Sequence, residues 1–486
     1  MAQRTTPWRR SAVTSGPASV VRWVGRDSRS SWRSSRSSSD LLTKIAARWV
    51  SAMSTEMQRA TRAIVAGSRV VASPYCSTPS TLLRELGDLS AVVPGLALSA
   101  GLLLGEMPFL DAVKTGSLRL MSWHMSGALR GLATRGIVDY LPLRASEVAR
   151  HLSGRVDVAL IRVSPPDAGG WCSLGPSASY TKALVATAGV VIAEVDTTMP
   201  RPVGEDARIR RSDIDFLVDS DTALATYPEA AASEVTDRIA RTVVDFIPNG
   251  ANVQLGIGAV PQSVASQLAV ADVSDLRMIG LACDSMIGLM ESGRLMPGES
   301  IRAAEILGTD MIFSVADGNP AIRLASSATI HNPLWLATQP RLISVCSALA
   351  VDLSGQVASE SIEGKILAGV GGSADFFDGA GLSAGGLRII AIPSTTNAGG
   401  SRITAEFGTG TAVTLPRHSV DVVVTEFGAA TLSGLPIAER AVALAAVAAP
   451  QHRDALLAGT SSSLTSHAEG RGARAEGRRP LSKVKT

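Results

Sequence analysis

Aromatic side chains are scarce in this 486-residue chain, at 4% of the total, and charged ones make up only 18%. With 45% apolar residues, so little charge excludes a wholly disordered polymer and a long charged coiled coil. The cysteines Cys76, Cys172, Cys283 and Cys346 lie far apart, without a CxxC pair or histidines at metal-ligand spacing. A disulfide framework and a zinc site are thereby excluded, and reduced thiols fit a cytoplasmic setting. Long apolar runs are missing too. The longest, residues 91–105, is interrupted by Pro94 and several glycines and ends at Glu106, short of the roughly 20 residues a spanning helix needs. No membrane association is expected.

Charge of one sign is also lacking, since the net charge is only +3. Its distribution is uneven: residues 1–52 carry +8 and residues 461–486 carry +4, which leaves −9 on the body between. The basic character belongs to the ends, so nucleic-acid binding by the body is not expected. Both ends are rich in Ser, Gly and Arg and poor in apolar residues, and they read as disordered extensions.

Between them, short β-branched runs alternate with longer segments of helical periodicity. Val190–Val195, the run at 253–256, 341–345, 388–393 and 420–425 are closed by Gly, Pro or polar residues and read as buried parallel strands. Residues 233–246 and 436–448 carry apolar residues at helical spacing. The expected organisation is an α/β chain with a disordered extension over 1–52, a first domain over 53–230, a second over 231–459 and a disordered basic tail over 460–486.

Glycine is plentiful, with 45 residues, and clusters after predicted strands. LGIGAVP at 255–261 leads into a predicted helix, AGVGGSADF covers 368–376, and PSTTNAGGSR covers 393–402. Such turns let a ligand approach the backbone, and a following helix N-terminus favours anionic groups. The first turn lacks the third glycine and the ribose-binding acid of a dinucleotide fingerprint, which counts against an oxidoreductase. Their recurrence at strand ends points to a shared crevice.

Taken in order, LGIGAVP (255–261), VCSALAVDLSGQVASES (345–361), GVGGSADFFDGAGLSAGG (369–386), AIPST (391–395), SRIT (401–404), TLPRHSVDVVVTEFGAATLSG (414–434) and ERAVALAAVAAPQHRDAL (439–456) resemble the acetyl-CoA hydrolase and 4-hydroxybutyrate CoA-transferase family. SWHMSGALRGL (122–132) and SPPDAGGWCSLGPSASYT (164–181) are similar to its first domain. The resemblance implies two tandem NagB/RpiA/CoA-transferase-like α/β domains with the active site between them. It implies acyl-CoA and a small carboxylic acid as substrates, coenzyme A as a substrate rather than a tightly bound cofactor, no metal, and a homodimer as a candidate assembly. The implied chemistry passes through a glutamyl anhydride and a glutamyl-CoA thioester.

Two departures from the family pattern stand out. The position implied for the nucleophilic glutamate holds Gly280, and the one implied for a carbonyl-orienting Asn holds Ala358. The resemblance carries Glu426 over as an active-site carboxylate. It carries Gly256, Gly258, Gly369, Gly371, Gly372, Ser373 and Ala374 over as the CoA-binding loops. The expected function is therefore CoA transfer or thioester hydrolysis in acetate metabolism. The alternative is a degenerate acyl-CoA-binding homologue with a sensor role.

Overall fold

The computed structural model describes residues 55–458. Both expected disordered ends, over 1–52 and 460–486, lie outside the described residues. The β-branched runs form strands at Val190–Val195, Asn252–Leu255, Leu342–Cys346, Leu387–Ala391 and Val422–Thr425. Each enters parallel pairings, which require crossovers of the kind the helical segments supply. Glu234–Val244 is one such helix. Its start is fixed by Ser233, whose Oγ accepts the Thr236 N–H at 3.2 Å.

Seven strands make the first sheet, in the spatial order Val138–Tyr140, Arg119–Ser122, Ala97–Ala100, Arg69–Ala72, Val158–Val163, Val190–Val195 and Phe216–Asp219. All its pairings are parallel. The second has eight, in the order Ile322–Leu324, Ile301–Ile306, Arg277–Ala282, Asn252–Leu255, Leu342–Cys346, Leu387–Ala391, Val422–Thr425 and Gly428–Thr431. Only its last pair is antiparallel. Strand order reverses direction beside Arg69–Ala72 in one sheet and beside Asn252–Leu255 in the other. Sheets wound this way leave crevices outside the carboxyl ends of the strands at the reversal.

The two sheets are stitched together at those ends. The Pro176 carbonyl accepts from the Ile306 N–H at 2.7 Å, Val203 O from Leu324 N–H at 2.8 Å, and Gly371 O from Ala145 N–H at 2.9 Å. Ser177 bridges Glu305 in antiparallel fashion. The main apolar core, around Val253, Leu255, Met278, Ile301, Ile343 and Ile389, also takes in Cys76, Ala178 and Ala207 from the first half. Burying each Val, Leu, Ile or Met side chain of this core contributes about 1.5–3 kcal/mol, and the small side chains from the first half add about 0.8 kcal/mol per methyl-sized group at the junction.

Candidate active site

Glu305 sits in the strand Ile301–Ile306, among Ala303, Ala304 and Ile306, and is 2% exposed. Neither carboxylate oxygen makes a well-formed hydrogen bond, although the Ser177 and Ser179 hydroxyls lie near enough to act on its charge. A register shift between Gly280 and Leu281 on the neighbouring strand sets Leu281 directly beside it. The carboxylate lines a cavity of about 50 Å³. Tyr75, Gly101, Trp123, His124 and Tyr180 come to it from the first half, and Leu281, Ser327, His331 and Gly371 from the second. Tyr75 and Trp123 follow the carboxyl ends of first-sheet strands, so the cavity lies where the strand ends of both sheets meet.

Electrostatics there are governed by loss of water. Desolvation pushes the Glu305 carboxyl up to about 8, with the Ser177 and Ser179 hydroxyls pulling the other way. Desolvation also presses the His124 and His331 imidazoles down to about 4, so both are neutral near pH 7. His331 Nδ1 is buried without a partner, and the ring packs on Phe376 with centroids 4.9 Å apart. Tyr180 is held in place, its hydroxyl donating to Ala72 O at 2.9 Å and accepting from Gly101 N–H at 3.2 Å.

The positions singled out from the sequence fall in different places. Gly280 has φ +111°, a conformation L side chains rarely adopt, and a Cβ there would lie 3.1 Å from Phe376 Cζ and 3.3 Å from Gln254 Cγ. A side chain at 280 would strain the backbone and require Phe376 and Gln254 to give by a few tenths of an ångström. Gly371 lines the Glu305 cavity, and Gly372 packs against the His331 ring. Gly369 abuts the Trp123 carbonyl, while Ser373 and Ala374 open the helix Ser373–Leu382. Gly256 and Gly258 line a second, smaller cavity of about 20 Å³ with Tyr227, Ile257 and Cys283. Leu281 forms a wall of both cavities.

Glu426 and Ala358 are not among the residues lining either cavity. Glu426 follows the strand Val422–Thr425 and accepts from Ser394 N–H at 2.8 Å and Ser394 Oγ–H at 2.6 Å. Ala358 is buried in the strand Val357–Ala358, opposite Ala350. The loop at 393–402 turns its polar groups on itself and its neighbours: the Arg402 guanidinium donates to the carbonyls of Thr395, Ala348 and Leu349, each at 3.2 Å. Burial pushes the Cys283 thiol up to about 12, which makes it a poor nucleophile.

Sequence reasoning passed over Glu305, Tyr75, Tyr180 and His331. No local signal singled out Glu305: it is the lone acid in the run Ala303-Ala304-Glu305-Ile306-Leu307, just as Glu194 is in Val190–Val195.

The acetyl-CoA hydrolase/transferase N-terminal domain matches residues 61–227, and the C-terminal domain of the same family matches residues 308–460. The chain belongs to the acetyl-CoA hydrolase/transferase family. It is 36% identical over 402 residues to a 4-hydroxybutyrate coenzyme A transferase of Clostridium kluyveri, covering 80% of this chain and 93% of the relative. It is 32% identical over 409 residues to a succinyl-CoA:acetate/propanoyl-CoA:succinate CoA transferase of Fasciola hepatica, with 80% and 84% covered. Among solved structures, RipA from Yersinia pestis superposes with a TM-score of 0.78 at 27% identity, over 84% of this chain and 97% of that one. The family's members are CoA-transferases and acetyl-CoA hydrolases. Among the described residues no helix is long and apolar enough to cross a membrane, and no cluster of His, Cys, Asp and Glu is suited to a metal ion.

Proposed function

We propose that the protein transfers CoA between an acyl-CoA and a small carboxylic acid, with Glu305 as the nucleophile in place of the side chain absent at Gly280. Glu305 reacts as its ionised form, which is the minority below about pH 8 and requires the carboxyl proton to leave to solvent first. One carboxylate oxygen then attacks the thioester carbonyl, the C–S bond breaks, and CoA leaves as the thiolate, giving an acyl-glutamyl anhydride. The thiolate then attacks the glutamyl carbonyl carbon, which releases the first acid and leaves a glutamyl-CoA thioester. An acceptor carboxylate reverses these steps, and water in its place gives hydrolysis. The neighbouring Gly371 loop supplies backbone for the oxyanion that forms at each attack.

The observation that carries this reading is a buried carboxyl at the meeting point of the two sheets whose oxygens lack well-formed hydrogen bonds and have only the Ser177 and Ser179 hydroxyls beside them. Buried polar atoms are nearly always paired, so two such oxygens facing a cavity call for a ligand. It favours an active enzyme over a degenerate acyl-CoA sensor, which has no use for a costly, poorly partnered carboxylate.

The test is intact-protein mass after incubation with acetyl-CoA, with peptide mapping of any adduct, alongside Glu305→Gln. The wild type is expected to gain a CoA-dependent adduct on Glu305. The variant should form none and lose at least about 10³-fold in rate, the scale seen when a group of the reacting constellation is removed. An adduct mapping to Glu426, or full activity of Glu305→Gln, overturns the assignment.

A further inference from the structure

The shape and charge of the Glu305 cavity bear on which acyl group it receives, an inference resting on Glu305 as the nucleophile. Its apolar walls include Tyr75, Leu102, Trp123, Leu143, Val148 and Leu281, alongside the neutral polar groups of Ser179 and Ser327. A volume of about 50 Å³ holds roughly four water-sized groups at the ~10–15 Å³ each requires. Among the described residues no lysine or arginine lines it. The nearby guanidinium groups are engaged elsewhere: Arg130 Nε donates to the Leu367 carbonyl at 2.6 Å, and Arg144 pairs with Asp378 at 2.7 Å. Both histidines in the wall are neutral near pH 7.

We propose that this cavity selects short, uncharged aliphatic acyl groups over dicarboxylic ones, and that Leu281 sets the chain-length limit. A second carboxylate carried into the cavity would be stripped of water with no counter-ion, which costs several kcal/mol. Chain length is limited differently. Leu281 alone among the cavity-lining residues forms part of both this cavity and the one under the Gly256–Gly258 loop. As the wall common to both cavities it is, in this proposal, the barrier between Glu305 and the space lined by Tyr227, Ile257 and Cys283. Trimming it to alanine joins the two spaces into one longer apolar channel. This selectivity would set the chain apart from the Fasciola hepatica relative, which is named for succinyl-CoA.

The experiment is a panel of acetyl-, propionyl-, butyryl-, hexanoyl- and succinyl-CoA, each with acetate as acceptor (propionate for acetyl-CoA), on the full chain and on Leu281→Ala. New acyl-CoA is followed by mass. For the wild type, kcat/KM for succinyl-CoA should lie at least about 100-fold below that for propionyl-CoA, and hexanoyl-CoA at least about tenfold below. Leu281→Ala should raise the hexanoyl-to-propionyl ratio about tenfold or more and leave succinyl-CoA poor. Succinyl-CoA within tenfold of propionyl-CoA overturns the charge selection, and an unchanged ratio in a folded Leu281→Ala overturns the length limit. If Leu281→Ala does not fold, Leu281→Val is read in its place. Should no ester be turned over, it is the Glu305 reading that falls, and the same esters titrated calorimetrically decide the pocket. Succinyl-CoA bound at least tenfold more weakly than propionyl-CoA then supports the selection, and equal affinity overturns it.

Discussion

Glu194 and Glu305 are both carboxylates inside apolar strands, and both are essentially inaccessible to solvent. Glu194 is compensated: Arg162 lies 3.2 Å away, the Thr81 N–H donates at 2.9 Å and the Ser220 hydroxyl at 2.5 Å. Among the described residues no cation acts on Glu305, and only the Ser177 and Ser179 hydroxyls lie beside it, without a well-formed hydrogen bond. Such a group is held in its neutral form at a cost to the ionised one. Its carboxyl rises from the ordinary 4.5 to about 8, so the folded state binds a proton that the unfolded state releases. The stabilisation from the protonated form is complete below the unfolded value and is lost as pH climbs through about 8. Glu305→Gln has no proton to lose. The melting temperature of the variant should therefore gain on the wild type between pH 5 and 8.5, the free-energy gap growing by up to ~1.4 kcal/mol per pH unit. A gap of the same size at pH 5 and pH 9 would show that Glu305 is not desolvated as described.

At the scale of the element, strands and their loops were largely legible and their pairing was not. Val190–Val195 forms over the residues its β-branched run suggests, and the LGIG turn leads into the helix Ala259–Val270. Hydrophobic period and turn chemistry are local properties, so the chain displays them in order. Whether a carboxylate in a strand is structural or chemical depends on what the adjacent strands bring. Arg162 faces Glu194 across one pair and Leu281 faces Glu305 across another. No local pattern distinguishes Ile-Ala-Glu-Val from Ala-Ala-Glu-Ile.

Glu426 marks the converse case, a motif acid at a strand end whose carboxylate is tied to Ser394 through two hydrogen bonds. Glu426→Gln should loosen that loop by roughly 1–2 kcal/mol, measured by denaturant unfolding, while the CoA-dependent adduct on Glu305 still forms. Loss of the adduct in a folded Glu426→Gln would restore Glu426 to the reacting groups.

Across the whole molecule, the cavity exists only because the halves meet closely, and the meeting is set by backbone as much as by side chains. Asp375 in the helix Ser373–Leu382 accepts from Ser146 N–H at 3.1 Å and Oγ–H at 2.7 Å, and Tyr140 reaches Glu360 at 3.3 Å. A close approach beside the site is at Gly369, where an added Cβ would stand 2.2 Å from the Trp123 carbonyl oxygen and 3.1 Å from His124 Cα. Trp123 and His124 both line the Glu305 cavity. Gly369→Ala therefore wedges the Gly-rich loop away from the strand end that walls the site. Overpacking of this kind costs about 1–3 kcal/mol, and a shift of about 1 Å in the groups around a reacting carboxylate lowers the rate by up to ~10²-fold. Gly131→Ala is the control. It lies in the helix Gly127–Thr134 with nothing near its added Cβ and should be neutral or slightly stabilising. Melting temperature and CoA-transfer rate measured together on both variants check the argument. A Gly369→Ala protein as stable and as fast as Gly131→Ala would mean that the halves do not depend on this contact to enclose Glu305.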